Sequence, residues 1–114
     1  MLYELNERVL LAEQAGIDRE RIVVDPGCGF GKRPAESFEL VDRVAEFDAL
    51  GCPVMVGHSR KSMYDHVGCG SGERLAPTLA LTAMAAERGA DVVRVHDVAE
   101  NAAVVRSVAA MDDG

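Results

Sequence analysis

Ile22-Val23-Val24-Asp25-Pro26-Gly27-Cys28-Gly29-Phe30-Gly31-Lys32 is the stretch that decides the fold. Three β-branched residues end at a carboxylate, and a loop follows in which Gly27, Gly29 and Gly31 alternate with Cys28, Phe30 and Lys32. A buried parallel strand delivers a side chain to a site at its C-terminal end in this way. The pattern returns twice. Val54-Met55-Val56 runs into Gly57-His58-Ser59-Arg60-Lys61-Ser62, and Val92-Val93-Arg94-Val95 runs into His96-Asp97.

Outward from these strands, the remaining sequence reads as helices. Residues 2–15 carry an apolar stripe of Leu2, Leu5, Val9 and Ala12 with Leu10 beside it, closed by Gly16 and Ile17. A second helix is expected over 36–49. Phe38, Val41, Ala45 and Asp48, with Leu40, Val44 and Phe47, give it a broad face, and Gly51 ends it. A loop or short helix with Gly68, Gly70 and Gly72 leads to a third helix over 76–88, with Pro77 in its first turn and Gly89 as its cap. Asp97 and Glu100 have the spacing of a capping box for a last helix to about Met111.

The resulting order is αβαβαβα, with strand starts 32 and 38 residues apart. That is the length of a βαβ unit, which implies parallel strands with right-handed crossovers. The fold class is therefore α/β, parallel strands alternating with helices. Three strands do not close a (β/α)8 barrel, which takes eight strands and roughly 250 residues. Residues 1–114 read as a partial barrel, a single portion of one domain.

Composition removes several function classes. With 48% hydrophobic residues and a net charge of −7, the chain is no candidate for a broad nucleic-acid surface, and no stretch reads as a membrane span. Glu4, Glu7 and Arg8 replace the basic start and apolar run of a signal peptide, so the cytoplasm is the expected location. Cys28, Cys52 and Cys69 include no C-x-x-C pair, which argues against a zinc site or a disulfide framework. Ten of the twelve basic residues are arginine; the two lysines, Lys32 and Lys61, both fall at strand tips. The acidic, lysine-poor background fits a halophilic source or a GC-rich genome equally.

Each tip has two readings. Asp25 either accepts two hydrogen bonds from a flat donor edge such as a 2-aminopyrimidinone, or caps the glycine loop through backbone N–H groups. The loop itself satisfies neither the P-loop nor the G-x-G-x-x-G pattern. Phe30 is a ring over a ligand or a plug under the loop. Lys61, flanked by Ser59, Arg60 and Ser62, belongs to a ligand site or to a solvated basic loop. His58 reads as a satisfied hydrogen-bonding residue. Arg94 and His96 share one strand face while Val93 and Val95 take the other. An Arg within an apolar strand needs an anion, or else a salt bridge to Asp97 or a helix. Lys32, Arg33, Arg60, Lys61, Arg94 and His96 all sit at strand ends of an acidic chain, and that inversion favours an anionic ligand.

Taken together, Asp25-Pro26-Gly27-Cys28-Gly29-Phe30-Gly31-Lys32, Gly57-His58-Ser59-Arg60-Lys61-Ser62 and Arg94-Val95-His96-Asp97, with Glu73-Arg74-Leu75 between them, resemble the dihydropteroate synthase family. The resemblance covers the C-terminal part of that family, strands six to eight of its pterin-binding TIM barrel. It implies condensation of p-aminobenzoate with 6-hydroxymethyl-7,8-dihydropterin pyrophosphate, giving dihydropteroate and pyrophosphate in folate biosynthesis. By resemblance, Asp25 holds the pterin edge and Gly57 leaves room for the pterin. Phe30 and Ser62 help form the p-aminobenzoate site. Lys61, Arg94 and His96 are the implied catalytic residues: Lys61 contacts the pterin near the p-aminobenzoate, Arg94 stacks on the pterin and reaches a phosphate, and His96 meets the pyrophosphate. The family also implies Mg2+ with its ligand outside this chain and a homodimer in the full enzyme; the chain reads either as a truncated product or as one part of a split enzyme with a complementing N-terminal half. The fragment alone is expected to be inactive. The rival readings are a pterin-binding methyltransferase domain and a non-catalytic half-barrel.

Overall fold

The computed structural model describes residues 2–27, 34–59 and 61–113. Four α-helices are present among them: α1 (Leu2–Gln14), α2 (Pro34–Asp42), α3 (Leu75–Glu87) and α4 (Val98–Asp113). Two short parallel strands, β1 (Met55–Val56) and β2 (Val92–Val93), pair with Met55 opposite Val92 and Val56 opposite Val93. The expected first strand over 22–25 is reduced to a parallel bridge between Val24 and Val54. Its main chain is nevertheless tied to the β1 segment, Val24 N–H donating to Pro53 C=O at 2.9 Å and Met55 N–H to Val24 C=O at 2.8 Å. The segment leading into β1 thus lies between its two neighbours, and the α/β alternation inferred from the sequence holds.

Strand alternation divides the sheet into two sides. Val24, Val54 and Val56 are buried on the helix side, in a core with Val9, Leu40, Val41 and Ala85. Fully burying a side chain of this size contributes about 1.5–3 kcal/mol. The residues of opposite parity, Val23 and Val92, are 50% and 43% exposed, and Met55 is half-buried. The helices therefore cover one side of the sheet only.

The helix termini follow local chemistry. Gly16 has φ +99°, its N–H bonds to Glu13 C=O, and Ile17 N–H reaches back to Ala12 C=O. This is the Schellman arrangement that a glycine accepts without Cβ strain. Gly89 and Ala90 repeat it at the end of α3, with φ +98° and the bond from Ala90 N–H to Ala85 C=O.

Two sequence expectations change. The helix expected over 36–49 stops at Asp42, and Val44–Leu50 continues as a 3-10 helix. Three residues per turn place Val44, Phe47 and Leu50 on one line, and all three are buried, whereas Ala45 and Asp48 are exposed. On α1, Val9 is buried but Leu10 points outward at 45% exposure. Further 3-10 turns cover Ser62–Val67 and Ser71–Glu73, and α3 begins one residue earlier than expected.

Candidate functional site

The tips following β1 and β2 build one cavity of about 250 Å³, lined by Gly57, Ser59, Lys61, Arg94, Val95 and His96. Each residue arrives by strand geometry. Arg94 N–H bonds to Val56 C=O at 3.0 Å, which extends the ladder past β2 and sets Arg94 beside Gly57. The guanidinium then lies over the bare Cα of Gly57: a Cβ there would stand 2.7 Å from Arg94 Nη2. The space left by the missing side chain is used by Arg94 in this structure. Among the described residues Arg94 forms no ion pair, so the salt-bridge alternative is not realised there.

The described residues just after β1 are drawn into the protein. Gly57, His58 and Ser59 are buried and Lys61 is half-buried. Two contacts pin them. Tyr64, buried in the 3-10 turn and packed edge-on against Phe38, donates its hydroxyl to His58 C=O at 2.9 Å. Ser59 Oγ lies 2.8 Å from His96 Nδ1 and accepts from the His96 backbone N–H at 3.1 Å.

Behind the cavity is a buried polar chain. His58 Nε2 is 2.7 Å from Thr82 Oγ1 and 3.2 Å from Thr78 C=O. Thr82 donates to Asn101 Oδ1 at 2.6 Å, and Asn101 Nδ2 donates to Asp97 C=O at 2.8 Å. Because the Thr82 hydroxyl proton goes to Asn101, His58 Nε2 must carry the proton that Thr82 accepts. Burial pushes the His58 imidazole below its ordinary value; the Thr78 and Val56 carbonyls oppose the shift and the Lys61 charge adds to it. His58 is thus a hydrogen-bonding residue through Nε2, but not the fully satisfied one expected from the sequence, since its buried Nδ1 has no hydrogen-bond partner.

Asp25 lies outside this cavity lining, and its Oδ1 accepts the Gly27 N–H at 2.9 Å, which is the loop-capping arrangement. Phe30 falls outside the described residues, as do Cys28, Lys32, Arg33, Arg60 and the Ser62 side chain; the Ser62 backbone opens the 3-10 turn. Among the described residues no group of three or more His, Cys, Asp or Glu could hold a metal, and no helix is long and apolar enough to cross a membrane. The structure therefore brings Gly57, Lys61, Arg94 and His96 together. It adds Ser59, Thr82 and Asn101, whose roles sequence reasoning had passed over. The available signal was Thr78 and Thr82 four apart in an alanine- and leucine-rich helix, which puts two hydroxyls on one buried face.

The profile of the pterin binding enzyme family matches residues 1–96. A probable bifunctional folylpolyglutamate synthase/dihydropteroate synthase of Haloferax volcanii is 61% identical over 110 residues, covering 96% of this chain and 13% of that protein. The dihydropteroate synthase of Escherichia coli is 44% identical over 105 residues, covering 91% of this chain and 37% of that protein. Among solved structures, dihydropteroate synthase of Xanthomonas albilineans in complex with 7,8-dihydropteroate superposes with a TM-score of 0.93 at 38% identity, covering 97% of this chain and 43% of that one. The enzyme of Anaplasma phagocytophilum with bound 6-hydroxymethylpterin-monophosphate gives 0.92 at 37% identity, over 96% and 43%. In each comparison this chain spans less than half of the relative's length.

Proposed function

Because this chain belongs to the pterin-binding enzyme family, we propose that it forms the phosphate-facing part of a dihydropteroate synthase barrel. The supporting observation is the cavity in which Lys61, Arg94 and His96 converge over Gly57, on a chain whose net charge is −7. In the proposed reaction the aniline nitrogen of p-aminobenzoate attacks the pterin methylene carbon. The carbon–oxygen bond to diphosphate breaks, and the amine gives up a proton. Charge develops on the leaving diphosphate, so donors fixed before the reaction stabilise the transition state more than the ground state. Arg94 and His96 would meet that charge from one strand tip and Lys61 from the next. Gly57 keeps the floor low enough for the guanidinium to lie flat.

Asp25 would anchor the pterin edge through the carboxylate oxygen that Gly27 does not use, with Phe30 and Ser62 beside the p-aminobenzoate ring. The magnesium ion implied by the resemblance would take its ligand outside this chain. A homodimeric whole enzyme is carried by the resemblance alone, and a cytoplasmic location by the sequence reading. We further propose that the 114-residue chain gives no turnover by itself, because its open sheet side leaves the cavity without an opposite wall.

Titration of the chain with inorganic diphosphate tests the reading. Removing one charged donor costs about 1.5–3 kcal/mol, so Arg94→Ala and Lys61→Ala should each weaken binding by about ten-fold or more. Unchanged affinity in both variants refutes the anion site. Dihydropteroate formation by the chain alone refutes the claim of inactivity. Binding of a methylated folate with no response to diphosphate would point instead to a methyltransferase-type domain.

A further inference from the structure

We propose that Ser59 is the positioning residue of His96, fixing its ring as the Nε2–H tautomer with that N–H available to the anion cavity. The argument starts from one hydroxyl. Ser59 is buried at 4% exposure, and Oγ contacts two atoms of the same residue, His96 N at 3.1 Å and His96 Nδ1 at 2.8 Å. A hydroxyl has one proton and two lone pairs. The backbone N–H can only donate, so it takes a lone pair. The Ser59 proton then needs an acceptor, and among the described residues His96 Nδ1 is the one within reach. Nδ1 accepts, and the ring proton resides on Nε2, at the ring edge remote from Ser59.

His96 lines the cavity together with Lys61 and Arg94. A neutral imidazole held in this way presents a donor to an anion, where the other tautomer would present a lone pair. The position of Oγ is fixed from behind as well. His58 precedes Ser59, Asp97 follows His96, and the pair is joined through Thr82 and Asn101. The two strand tips are therefore tied in front by Ser59 and His96 and behind by the His58–Thr82–Asn101–Asp97 chain. Sliding one tip past the other breaks both ties.

This inference rests on the reading of the cavity as an anion site, and the test separates the two. Imidazole 15N spectra of the histidine-labelled chain, recorded in mildly alkaline buffer and assigned with His96→Gln, report which ring nitrogen carries the proton. The native chain should show Nε2–H. Ser59→Ala should give a mixture of tautomers and weaken inorganic diphosphate binding by about ten-fold, and Ser59→Thr, which keeps the hydroxyl, should restore both. An Nδ1–H tautomer in the native chain overturns the proposal without any variant. An unchanged tautomer in Ser59→Ala also overturns it, whatever happens to affinity. A tautomer shift in a chain that binds no diphosphate sustains the positioning role and removes the anion-site reading.

Discussion

Thr82→Val probes the polar chain behind the cavity with almost no change of shape. Thr82 is fully buried, and its hydroxyl accepts from His58 Nε2 and donates to Asn101 Oδ1. The substitution replaces that hydroxyl by a methyl group and leaves two former partners. They are not equally affected. His58 Nε2–H keeps the Thr78 carbonyl at 3.2 Å, so it stays partly satisfied. Asn101 is 1% exposed, and its Oδ1 loses the donor recorded for it with no route to solvent. An orphaned buried acceptor costs about 1–3 kcal/mol, and the expected loss is about 2 kcal/mol in total. That is a large share of the roughly 5–15 kcal/mol that stabilises a typical domain. Urea unfolding followed by far-ultraviolet circular dichroism measures it, and a lower midpoint at unchanged slope identifies a true stability effect. Thr82→Ser, which keeps the hydroxyl, should lose about 0.8 kcal/mol, the value of one buried methyl-sized group. In a double-mutant cycle, Thr82→Val with Asn101→Ala should be less than additive, because the second change removes the orphaned acceptor. A Thr82→Val chain within about 0.5 kcal/mol of native stability, or strict additivity, refutes the reasoning.

Stability should also depend on pH through His58, whose folded imidazole titrates below the ordinary value because it is buried. Above about pH 6.5 both states are neutral at this site; below it the unfolded chain binds a proton that the folded chain refuses, so stability falls until the lowered folded value is reached. His58→Gln should remove up to about 1.4 kcal/mol per pH unit from that slope, as read from urea midpoints across the acid range. Gly57→Ala should displace the Arg94 guanidinium, since the new Cβ would stand 2.7 Å from Nη2. The obstructing atoms end an exposed, flexible side chain, so the unfolding midpoint should barely move while diphosphate affinity drops several-fold; unchanged affinity counts against the Gly57–Arg94 contact. Val92→Asp should cost less than about 1 kcal/mol in this chain, where Val92 is 43% exposed. Placed in a complete barrel, the same change should abolish soluble expression, because it buries an unpaired charge.

The alternation of elements was legible because each strand is a short run rich in valine and two helices end at glycines that adopt positive φ. The break at Arg43 was not, because apolar residues at 41, 44, 47 and 50 fit a tight three-residue period as well as one side of an α-helix. Leu10 was misplaced for a related reason: adjacent apolar residues widen a helical stripe, and only the available core decides which of them is covered. The cavity residues Gly57, Lys61, Arg94 and His96 were legible from their position just after strands. The ties between them were not. Ser59 and His96 lie 37 residues apart, His58 and Thr82 lie 24 apart, and Thr82 and Asn101 lie 19 apart. Such contacts leave no periodic trace, since they arise only when two consecutive βα units pack side by side.

The parity of the strands links the open side of the sheet to the cavity. Val23 alternates with the buried Val24, Met55 with the buried Val54 and Val56, and Val92 with the half-buried Val93, and two residues further on in each strand come Asp25, Gly57 and Arg94. Period two keeps these pairs on one face. The exposed apolar residues and the proposed ligand-contacting residues therefore belong to the same surface, and the helices pack against the other one. Any polypeptide that covers Val23, Met55 and Val92 must also stand opposite Lys61, Arg94 and His96. Excluding water there would strengthen each contact to a phosphate, because the same charges act through a lower effective dielectric. Covering the apolar face and completing the site are thus one structural event. The polar chain through His58, Thr82 and Asn101 lies on the helix side, where this chain supplies its own core. That division explains how the tips can be held in register by residues of this chain even though the cavity they shape is open.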